Sequence, residues 1–260
     1  MPSLELEDQP WFPLLLRQYQ MEYLSWLASK LGLYSPLAGA VRHLLQRHAS
    51  RQWTDCCSGA AGPVSALLTA GVVPQQLVLA DRYPQPALEV LPGDTKMAYY
   101  QLPQDAIPGE GLVTMFNALH HFSPATRLQW LQQVAAQRRP LLVAEITRPT
   151  LLCWVAVTLA GTVGVWLFTP FIRPFCWKRL FFTYLLPLNV LSITWDGWMS
   201  VFSAIRRRSF QAMATEIGHP AYATYFYEAG PWWQRLAVLA AEPVDSSIEN
   251  TVVPNFTTNP

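Results

Sequence analysis

The feature that most constrains the fold is a run of small residues at 53–63, which reads Trp-Thr-Asp-Cys-Cys-Ser-Gly-Ala-Ala-Gly-Pro. A β-prone stretch leads into this run, and helix-forming residues at 64–70 follow it directly. A strand, a tight turn of small residues and a helix in this order open a βαβ unit. Small side chains let a ligand lie against the backbone, and the first turn of the helix offers N–H groups without partners. The run therefore predicts a ligand-binding turn at one edge of a sheet.

The next apolar stretch supports this interpretation. Residues 77–81, Leu-Val-Leu-Ala-Asp, predict a second strand that ends in the carboxylate of Asp81. An acid at this point can accept hydrogen bonds from both ribose hydroxyls of an adenosine-containing ligand. The alternative is that Asp81 is a solvated loop acid.

Strands and helices then alternate along the chain, which predicts a doubly wound α/β fold with a parallel sheet. The predicted strands lie near 53–57, 77–81, 97–101, 111–116 and 141–146, and the helices between them near 63–71, 85–91 and 124–137. Ser123 and Pro124 suit the start of the last of these helices, as a cap and a first-turn residue. A helix at 209–219 and an antiparallel strand pair at 223–228 and 236–241 are expected to close the sheet.

The N-terminal residues differ in character from the rest of the predicted sheet. Residues 1–10 are acidic and are expected to be mobile, whereas 11–50 predict helices that lie over the sheet. Tyr19, Tyr23 and Trp26 have helical spacing, which favours a core stripe over a substrate cage. The predicted organisation is a helical cap at 1–50, a core at 51–150, a hydrophobic insertion at 151–208, a closing helix and strand pair at 209–245, and a loose tail at 246–260.

Residues 151–202 are unusually apolar for a soluble chain. Hydrophobic residues make up 51% of the sequence and charged residues 13%, against about a quarter charged in typical soluble domains. No formal charge occurs in 151–172 or in 180–195, and three cations (Arg173, Lys178 and Arg179) lie between these runs. A single crossing of a bilayer would separate the last strands from the sheet, and two crossings would place the cationic turn outside the cytoplasm. We therefore expect an apolar hairpin dipping into one leaflet, with a lid or a dimer surface as the alternative.

Charge and cysteine usage narrow the partners. The net charge of +1 gives no electrostatic case for nucleic acid. The four cysteines have neither metal-ligand spacing nor a disulfide framework, so reduced buried thiols and no metal are predicted. Acidic residues near the N-terminus do not fit a signal peptide. These features favour a cytoplasmic protein, peripheral or monotopic at the inner face of a membrane.

Taken together, residues 51–147 resemble class I S-adenosylmethionine-dependent methyltransferases. Residues 55–62 are similar to the family's first motif, D-x-G-x-G-x-G, with Gly59 in place but Cys57 and Ala61 where glycines are usual. The resemblance implies a Rossmann-like seven-stranded sheet, with an apolar helical insertion between strands 5 and 6, and S-adenosylmethionine (SAM) as the cofactor. The cofactor-binding residues it implies are Asp55, Cys57, Ser58, Gly59, Asp81, Arg82, Asp105, Ala106 and Asn117.

A second part of the resemblance concerns residues 116–122, Phe-Asn-Ala-Leu-His-His-Phe, which match the fourth-strand motif beside the transferring methyl group. A little-characterised group of these methyltransferases is similar in pairing a His-His-Phe motif with Thr-Tyr-x-x-Pro and Trp-Asp-Gly, here at 183–187 and 195–197. This likeness implies methyl transfer without naming the acceptor.

Methyl transfer from a sulfonium is an in-line displacement, so the enzyme mainly aligns donor and acceptor. An oxygen or nitrogen acceptor also needs a base, and His120 or His121 is the candidate. In an extended chain only one of the two would face the site, and the sequence favours His121 slightly. Glu145 and Asp196 are predicted either to orient a histidine or meet the acceptor, or to be structural acids. Each histidine has a core role as its alternative.

The predicted activity is methylation of a hydrophobic or membrane-partitioned small molecule, with O-methylation preferred because a histidine base suits a hydroxyl. Trp195 and Trp198 would wall the acceptor pocket or anchor the chain at a membrane interface. Two other classes remain open. A nicotinamide-dependent oxidoreductase shares the turn and the acid after strand two, but no Tyr-x-x-x-Lys pattern appears. A non-catalytic membrane-associated protein would explain the apolar insertion but not the polar residues at strand ends.

Overall fold

The computed structural model describes residues 4–83, 94–103, 105–217 and 222–244. The predicted helix near 85–91 and the predicted tail at 246–260 lie outside these residues. Within them, seven strands form one sheet in the order β3-β2-β1-β4-β5-β7-β6. The strands are β1 Gln52–Cys56, β2 Gln76–Asp81, β3 Lys96–Gln101, β4 Leu112–Phe116, β5 Leu141–Glu145, β6 Tyr222–Ala229 and β7 Leu236–Pro243. The first five are parallel, and β7 runs antiparallel to β5 and β6, which confirms the predicted seven-stranded Rossmann-like sheet.

Helices cover both faces of the sheet. Their bounds are α1 Leu14–Lys30, α2 Ala38–Arg47, α3 Gly62–Thr69, α4 Pro124–Ala136, α5 Leu151–Leu159, α6 Val165–Phe168, α7 Trp177–Leu180, α8 Leu188–Ser203 and α9 Arg207–Glu216. One core packs residues of α2 and α3 against the sheet, and the core on the opposite face includes residues of α4 and α9. All residues of β4 and β5 are buried, as expected for strands with helices on both faces. The predicted start of α4 is confirmed, since Ser123 accepts a hydrogen bond from the backbone N–H of Thr126.

The helix α1 crosses directly over the start of α3. A Cβ atom at Gly62 would lie 2.5 Å from Cα of Ser25, so only glycine allows this approach. The hydroxyl of Ser25 donates to the carbonyl of Ala60 at 3.0 Å and fixes the contact. The predicted stripe on α1 belongs to the core, because Tyr19 and Tyr23 are buried. The helical cap therefore closes one side of the small-residue turn.

The chain between β5 and β6 is helical, and its first part is one continuous helical run, Leu151–Phe171. This run is long and apolar enough to cross a membrane, and only 17% of its most apolar window is buried. A π-helical turn at Ala160–Gly164 interrupts it, and the Tyr23 hydroxyl donates to the Ala160 carbonyl at 2.6 Å. Helix α8 packs beside the run, where a Cβ atom at Gly161 would lie 2.8 Å from Cα of Thr194. The small residue lets the two helices approach closely.

Candidate active site

The turn after β1 adopts a left-handed backbone at three alternate residues. The φ angles are 55° at Cys57, 51° at Gly59 and 57° at Ala61. This conformation costs about 1–2 kcal/mol at a residue with a side chain. Cys57 and Ala61 nevertheless adopt it, at the two positions where the motif usually has glycine. The sequence departs from the methyltransferase motif at these two positions, but the backbone conformation there is one that glycine favours.

Asp81, at the end of β2, lies beside this turn and binds its backbone. Its carboxylate accepts hydrogen bonds from the backbone N–H of Gly59 at 2.8 Å and of Tyr83 at 2.7 Å. Burial raises the pKa of Asp81, while these two N–H groups oppose the rise. On the other side, the hydroxyl of Tyr99 donates to the Gly59 carbonyl, and Ser58 donates to that hydroxyl at 3.3 Å. Gly59 and Asp81, both predicted to bind the cofactor, are thus in direct contact.

Asp55 does not lie on the surface of the turn. Its carboxyl group is buried within the sheet, where Thr114 of β4 donates to it at 2.5 Å and Trp53 in turn donates to Thr114 at 2.8 Å. Burial raises the pKa of Asp55 to about 8. Asp55 therefore supports the turn from inside the sheet, and a direct cofactor contact for it remains a prediction.

Two further predicted cofactor residues share an open cleft at the carboxyl edge of the sheet. The cleft has a volume of about 660 Å³ and is lined by Arg82, Gln101, Leu102, Pro103, Asp105, Phe122 and Thr126. Ala106 follows directly and donates its N–H to the Pro103 carbonyl at 3.0 Å. This volume is in the usual range for a small-molecule site.

Asn117 has a different environment from the one predicted. Its φ angle is 49°, and its side-chain oxygen accepts hydrogen bonds from the N–H groups of Ile146 and Thr147 and from the Thr147 hydroxyl. Asn117 therefore ties the end of β4 to the chain leaving β5. Its predicted contact with a cofactor stays a prediction.

His120 lies in a short 3₁₀ turn, Leu119–His121, and its side chain is fully buried. Its Nδ1 atom is 2.6 Å from Oε2 of Glu145, and the other carboxylate oxygen of Glu145 accepts the N–H of Leu119 at 2.8 Å. Burial alone would lower the pKa of His120, but Glu145 raises it above its ordinary value. The predicted pairing of Glu145 with a histidine is thus present in the structure.

His121 faces the same space as His120. The prediction that only one of the two faces the site assumed an extended chain; the 3₁₀ turn instead places their ring centroids 4.4 Å apart. Nδ1 of His121 is 2.7 Å from Oδ2 of Asp8, and its Nε2 is 3.5 Å from Oε2 of Glu5. Burial opposes protonation of His121, yet Glu5 and Asp8 raise its pKa well above the ordinary value. In this arrangement each histidine is paired with a carboxylate.

Asp196 on α8 is buried and binds the backbone of the N-terminal segment, residues 4–12. Its carboxylate accepts the backbone N–H groups of Leu6 at 2.6 Å and Glu7 at 3.0 Å, and the side-chain amide of Gln20 at 2.6 Å. Burial raises the pKa of Asp196 to about 6. These three contacts fit the structural alternative, and a catalytic role for Asp196 stays a prediction.

The sequence missed the contribution of the N-terminal segment. The expectation of a mobile acidic start is wrong for residues 4–10, because Leu6–Asp8 forms a 3₁₀ turn and Glu5 is buried beside both histidines. Buried Arg17 of α1 fixes the segment by donating to the carbonyls of Glu7 and Gln9, both at 2.7 Å. Its guanidinium lies 3.7 Å from the ring centroid of Tyr83, beside Asp81. The only signal in the sequence was the density of acids, which does not identify their partners.

Comparison with known proteins addresses the fold. No protein-family model and no curated protein matches the sequence. Among solved structures, the plantazolicin methyltransferase BpumL in complex with SAH is similar over 88% of this chain and 96% of that chain, with 7% identity and a TM-score of 0.51. Magnesium protoporphyrin IX methyltransferase from Synechocystis PCC 6803, with bound SAM, covers 81% of this chain and 80% of its own at 11% identity and a TM-score of 0.41. The first likeness shows that the chain has the class I methyltransferase fold.

Proposed function

We propose that the protein is a SAM-dependent methyltransferase. The observation that carries this proposal is the glycine-type turn after β1 in contact with Asp81 after β2. This turn exposes small residues and helix N–H groups, and the acid beside it is positioned for a ribose. BpumL, which shares the fold, was solved with SAH, the demethylated form of SAM.

The sheet and the local charge favour SAM over a nicotinamide dinucleotide. The common dinucleotide-binding sheet has the strand order 3-2-1-4-5-6, whereas here the antiparallel β7 lies between β5 and β6. Carboxylates of Glu5, Asp8 and Asp81 surround the edge where the donor would lie, and carboxylates attract a sulfonium cation.

The histidine pair supports an acceptor that loses a proton. The neighbouring carboxylates raise the pKa of His120 and of His121, which favours their protonated forms, and a protonated imidazole has no lone pair left to accept a further proton. The network of two histidines with Glu5, Asp8 and Glu145 can instead take up the proton as a unit. We therefore propose O-methylation, with N-methylation as the alternative. The sequence favours His121 slightly, but both rings have a carboxylate partner, so we assign the role to the pair.

The test is isothermal titration calorimetry with SAH and, separately, with NAD. We expect SAH to bind one molecule per chain and NAD not to bind. Binding of NAD alone would support the oxidoreductase alternative, and binding of neither would support a non-catalytic protein.

Substitution of Asp81 locates the site. We expect Asp81→Ala to weaken SAH binding by at least about tenfold, since a hydrogen bond to a charged group contributes roughly 1.5–3 kcal/mol. The matched control is Asp94→Ala, which removes an exposed acid before β3. Thermal unfolding of both variants checks that the fold survives. Unchanged SAH affinity in a folded Asp81→Ala protein would contradict the assignment.

We further propose that the protein works at the inner face of a membrane on a hydrophobic or membrane-partitioned acceptor. Exposed apolar side chains concentrate between α5 and α8; the most exposed are Leu151, Trp177, Leu185 and Phe202. The exposed cations Arg173 and Lys178 lie in the same region and suit anionic headgroups. Helix α8 packs against α5 on one side and contacts α1 on another. This contact argues against two full crossings of the bilayer by α5 and α8, because protein covers part of their surface. Methyl transfer from labelled SAM into lipophilic phenols, acids and amines would identify the acceptor class.

A further inference from the structure

We propose that Glu5, His120 and His121 form a binding site for a divalent metal ion of the Zn²⁺ type. One ligand atom from each residue lies within 4.8 Å of the others. Two imidazoles and a glutamate are a known donor set of catalytic zinc sites, which leave a further coordination position open.

The distances fit a common centre. His120 Nε2 lies 3.4 Å from Oε1 of Glu5, and His121 Nε2 lies 3.5 Å from Oε2 of Glu5. Ligands bound tetrahedrally to Zn²⁺ at about 2.0–2.1 Å are about 3.3 Å apart, so these separations are close to those of metal ligands. They are longer than the usual N–H···O hydrogen bond of about 2.9 Å.

The second nitrogen of each ring is already engaged by a carboxylate. His120 Nδ1 is 2.6 Å from Glu145, and His121 Nδ1 is 2.7 Å from Asp8. Such carboxylates fix the Nδ1–H tautomer of a metal-binding histidine and make its Nε2 more basic. Both Nε2 atoms then present lone pairs toward Glu5.

His120 supplies an independent observation. Its Nε2 atom is buried in a fully enclosed side chain and has no hydrogen bond of normal geometry, since its neighbour, Oε1 of Glu5, lies 3.4 Å away. Without a metal ion, protons on the Nε2 atoms balance the charge of Glu5, and a divalent cation would replace those protons on binding. Glu5 is also oriented from behind, because the Ser200 hydroxyl donates to its Oε1 at 3.0 Å.

A metal here would deepen the proposed function, and this consequence rests on that function. A bound divalent cation can polarise an acceptor hydroxyl and lower its pKa, so the histidines would act through the metal rather than as direct bases. The acceptor class would then be an oxygen ligand, such as a phenol or a carboxylate. No metal was predicted because the spacing of the cysteines does not fit metal ligands. The cysteines take no part in this cluster.

The experiment is titration of the untagged, chelator-treated full chain with Zn²⁺ by calorimetry and with Co²⁺ by visible absorption, without SAM. We expect one ion per chain and the visible bands of a Co²⁺ centre with nitrogen and oxygen ligands. Glu5→Gln and His121→Gln should each weaken binding by more than about 100-fold, beyond the 10–100-fold typical of an outer-shell change. The control is His48→Gln, which removes a histidine paired with Glu242 and should leave the affinity unchanged.

The outcomes separate this proposal from the methyltransferase proposal. Absence of metal binding by the wild-type chain would overturn the metal site and would mean that protons bridge the cluster. Binding that survives in folded Glu5→Gln and His121→Gln proteins would also overturn it. Glu5→Gln keeps the size of the side chain, so loss of binding with unchanged thermal unfolding would not reflect misfolding. Metal binding without SAH binding would leave the site standing while the proposed function failed.

Discussion

Asp55, Asp81 and Asp196 are all acids near one edge of the sheet, yet their partners give them different tasks. Asp55 contacts Thr114 inside the sheet, Asp81 holds the turn after β1, and Asp196 holds the N-terminal segment. Burial raises the pKa of all three, to about 8 for Asp55 and to about 6 for Asp196. Of the three, Asp81 is the one that contacts the turn after β1, and its binding of a ribose stays a prediction.

The raised pKa of Asp55 makes stability depend on pH. The folded protein keeps the proton up to about pH 8, whereas the unfolded chain releases it near the ordinary value of 3.8. The unfolded state therefore binds fewer protons in this window, and the free energy of unfolding falls as pH rises, by up to about 1.4 kcal/mol per pH unit. Asp55→Asn keeps an acceptor for Thr114 and should remove this dependence.

The measurement is urea unfolding of the wild type and of Asp55→Asn between the two pKa values. As pH rises, we expect the free energy of unfolding of the wild type to fall relative to that of Asp55→Asn. This relative change should level off above about pH 8. A difference that is constant across this range would show that Asp55 is ionised in the folded protein.

The contact between α1 and α3 positions the ligand-binding turn at the level of whole elements. Helix α1 reaches the turn through Ser25, and its Arg17 fixes the N-terminal segment over Tyr83. The same helix also contacts α8. Helix α1 thus contacts three parts of the molecule. These are the turn after β1, the N-terminal segment that carries Glu5 and Asp8, and the apolar residues 151–202.

Gly62→Ala should disturb this connection. The added methyl would lie 2.5 Å from the Ser25 backbone, and overpacking of this kind typically costs about 1–3 kcal/mol. We expect lower stability in urea together with weaker SAH binding, because the turn must move. Gly39→Ala is the matched control, since a Cβ atom there has nothing within 4 Å and alanine favours the helix by up to about 1 kcal/mol. Equal stability changes in the two variants would contradict the close approach.

At the scale of the whole molecule, one side carries the site and an adjoining side carries exposed apolar residues. Trp177 is 76% exposed and Leu185 is 75% exposed, so neither side chain packs into the core. Helix α8 links the two sides, because it packs against the histidine turn and the N-terminal segment and also against α5 and α6 of the apolar run. If this apolar side lies in a membrane, as we propose, an acceptor held there would lie close to the site.

Membrane association is tested by liposome flotation of Trp177→Ser/Leu185→Ser. Each large apolar side chain contributes roughly 1.5–3 kcal/mol when fully buried, so the double variant should partition into anionic vesicles at least about a hundredfold less. Trp232→Ser/Trp233→Ser is the control, because Trp232 is 75% exposed but lies between β6 and β7. Equal flotation of both variants would favour a lid or a dimer surface at the apolar region.

Local patterns were enough to predict the sheet, the turn and the apolar region. Strand and helix signals depend on neighbouring residues, so β1, β2, β4 and β5 and the cap of α4 followed from the sequence. The pairing of Glu145 with a histidine was also anticipated, because the carboxyl ends of neighbouring parallel strands meet at one edge. The bounds of α9 and of the closing strands differ from the prediction by up to three residues, as helix and strand ends depend on capping contacts.

Tertiary structure decided which groups meet at that edge. Glu5 and Asp8 reach the histidine pair only because Asp196, Arg17 and the close packing of α1 hold the N-terminal segment there. None of these contacts leaves a periodic or local signal, since they join residues far apart in the chain. The sequence by itself determined the sheet, the glycine-type turn and the identity of the histidines. The charge around those histidines, and the convergence of their Nε2 atoms on Glu5, exist only in the folded molecule.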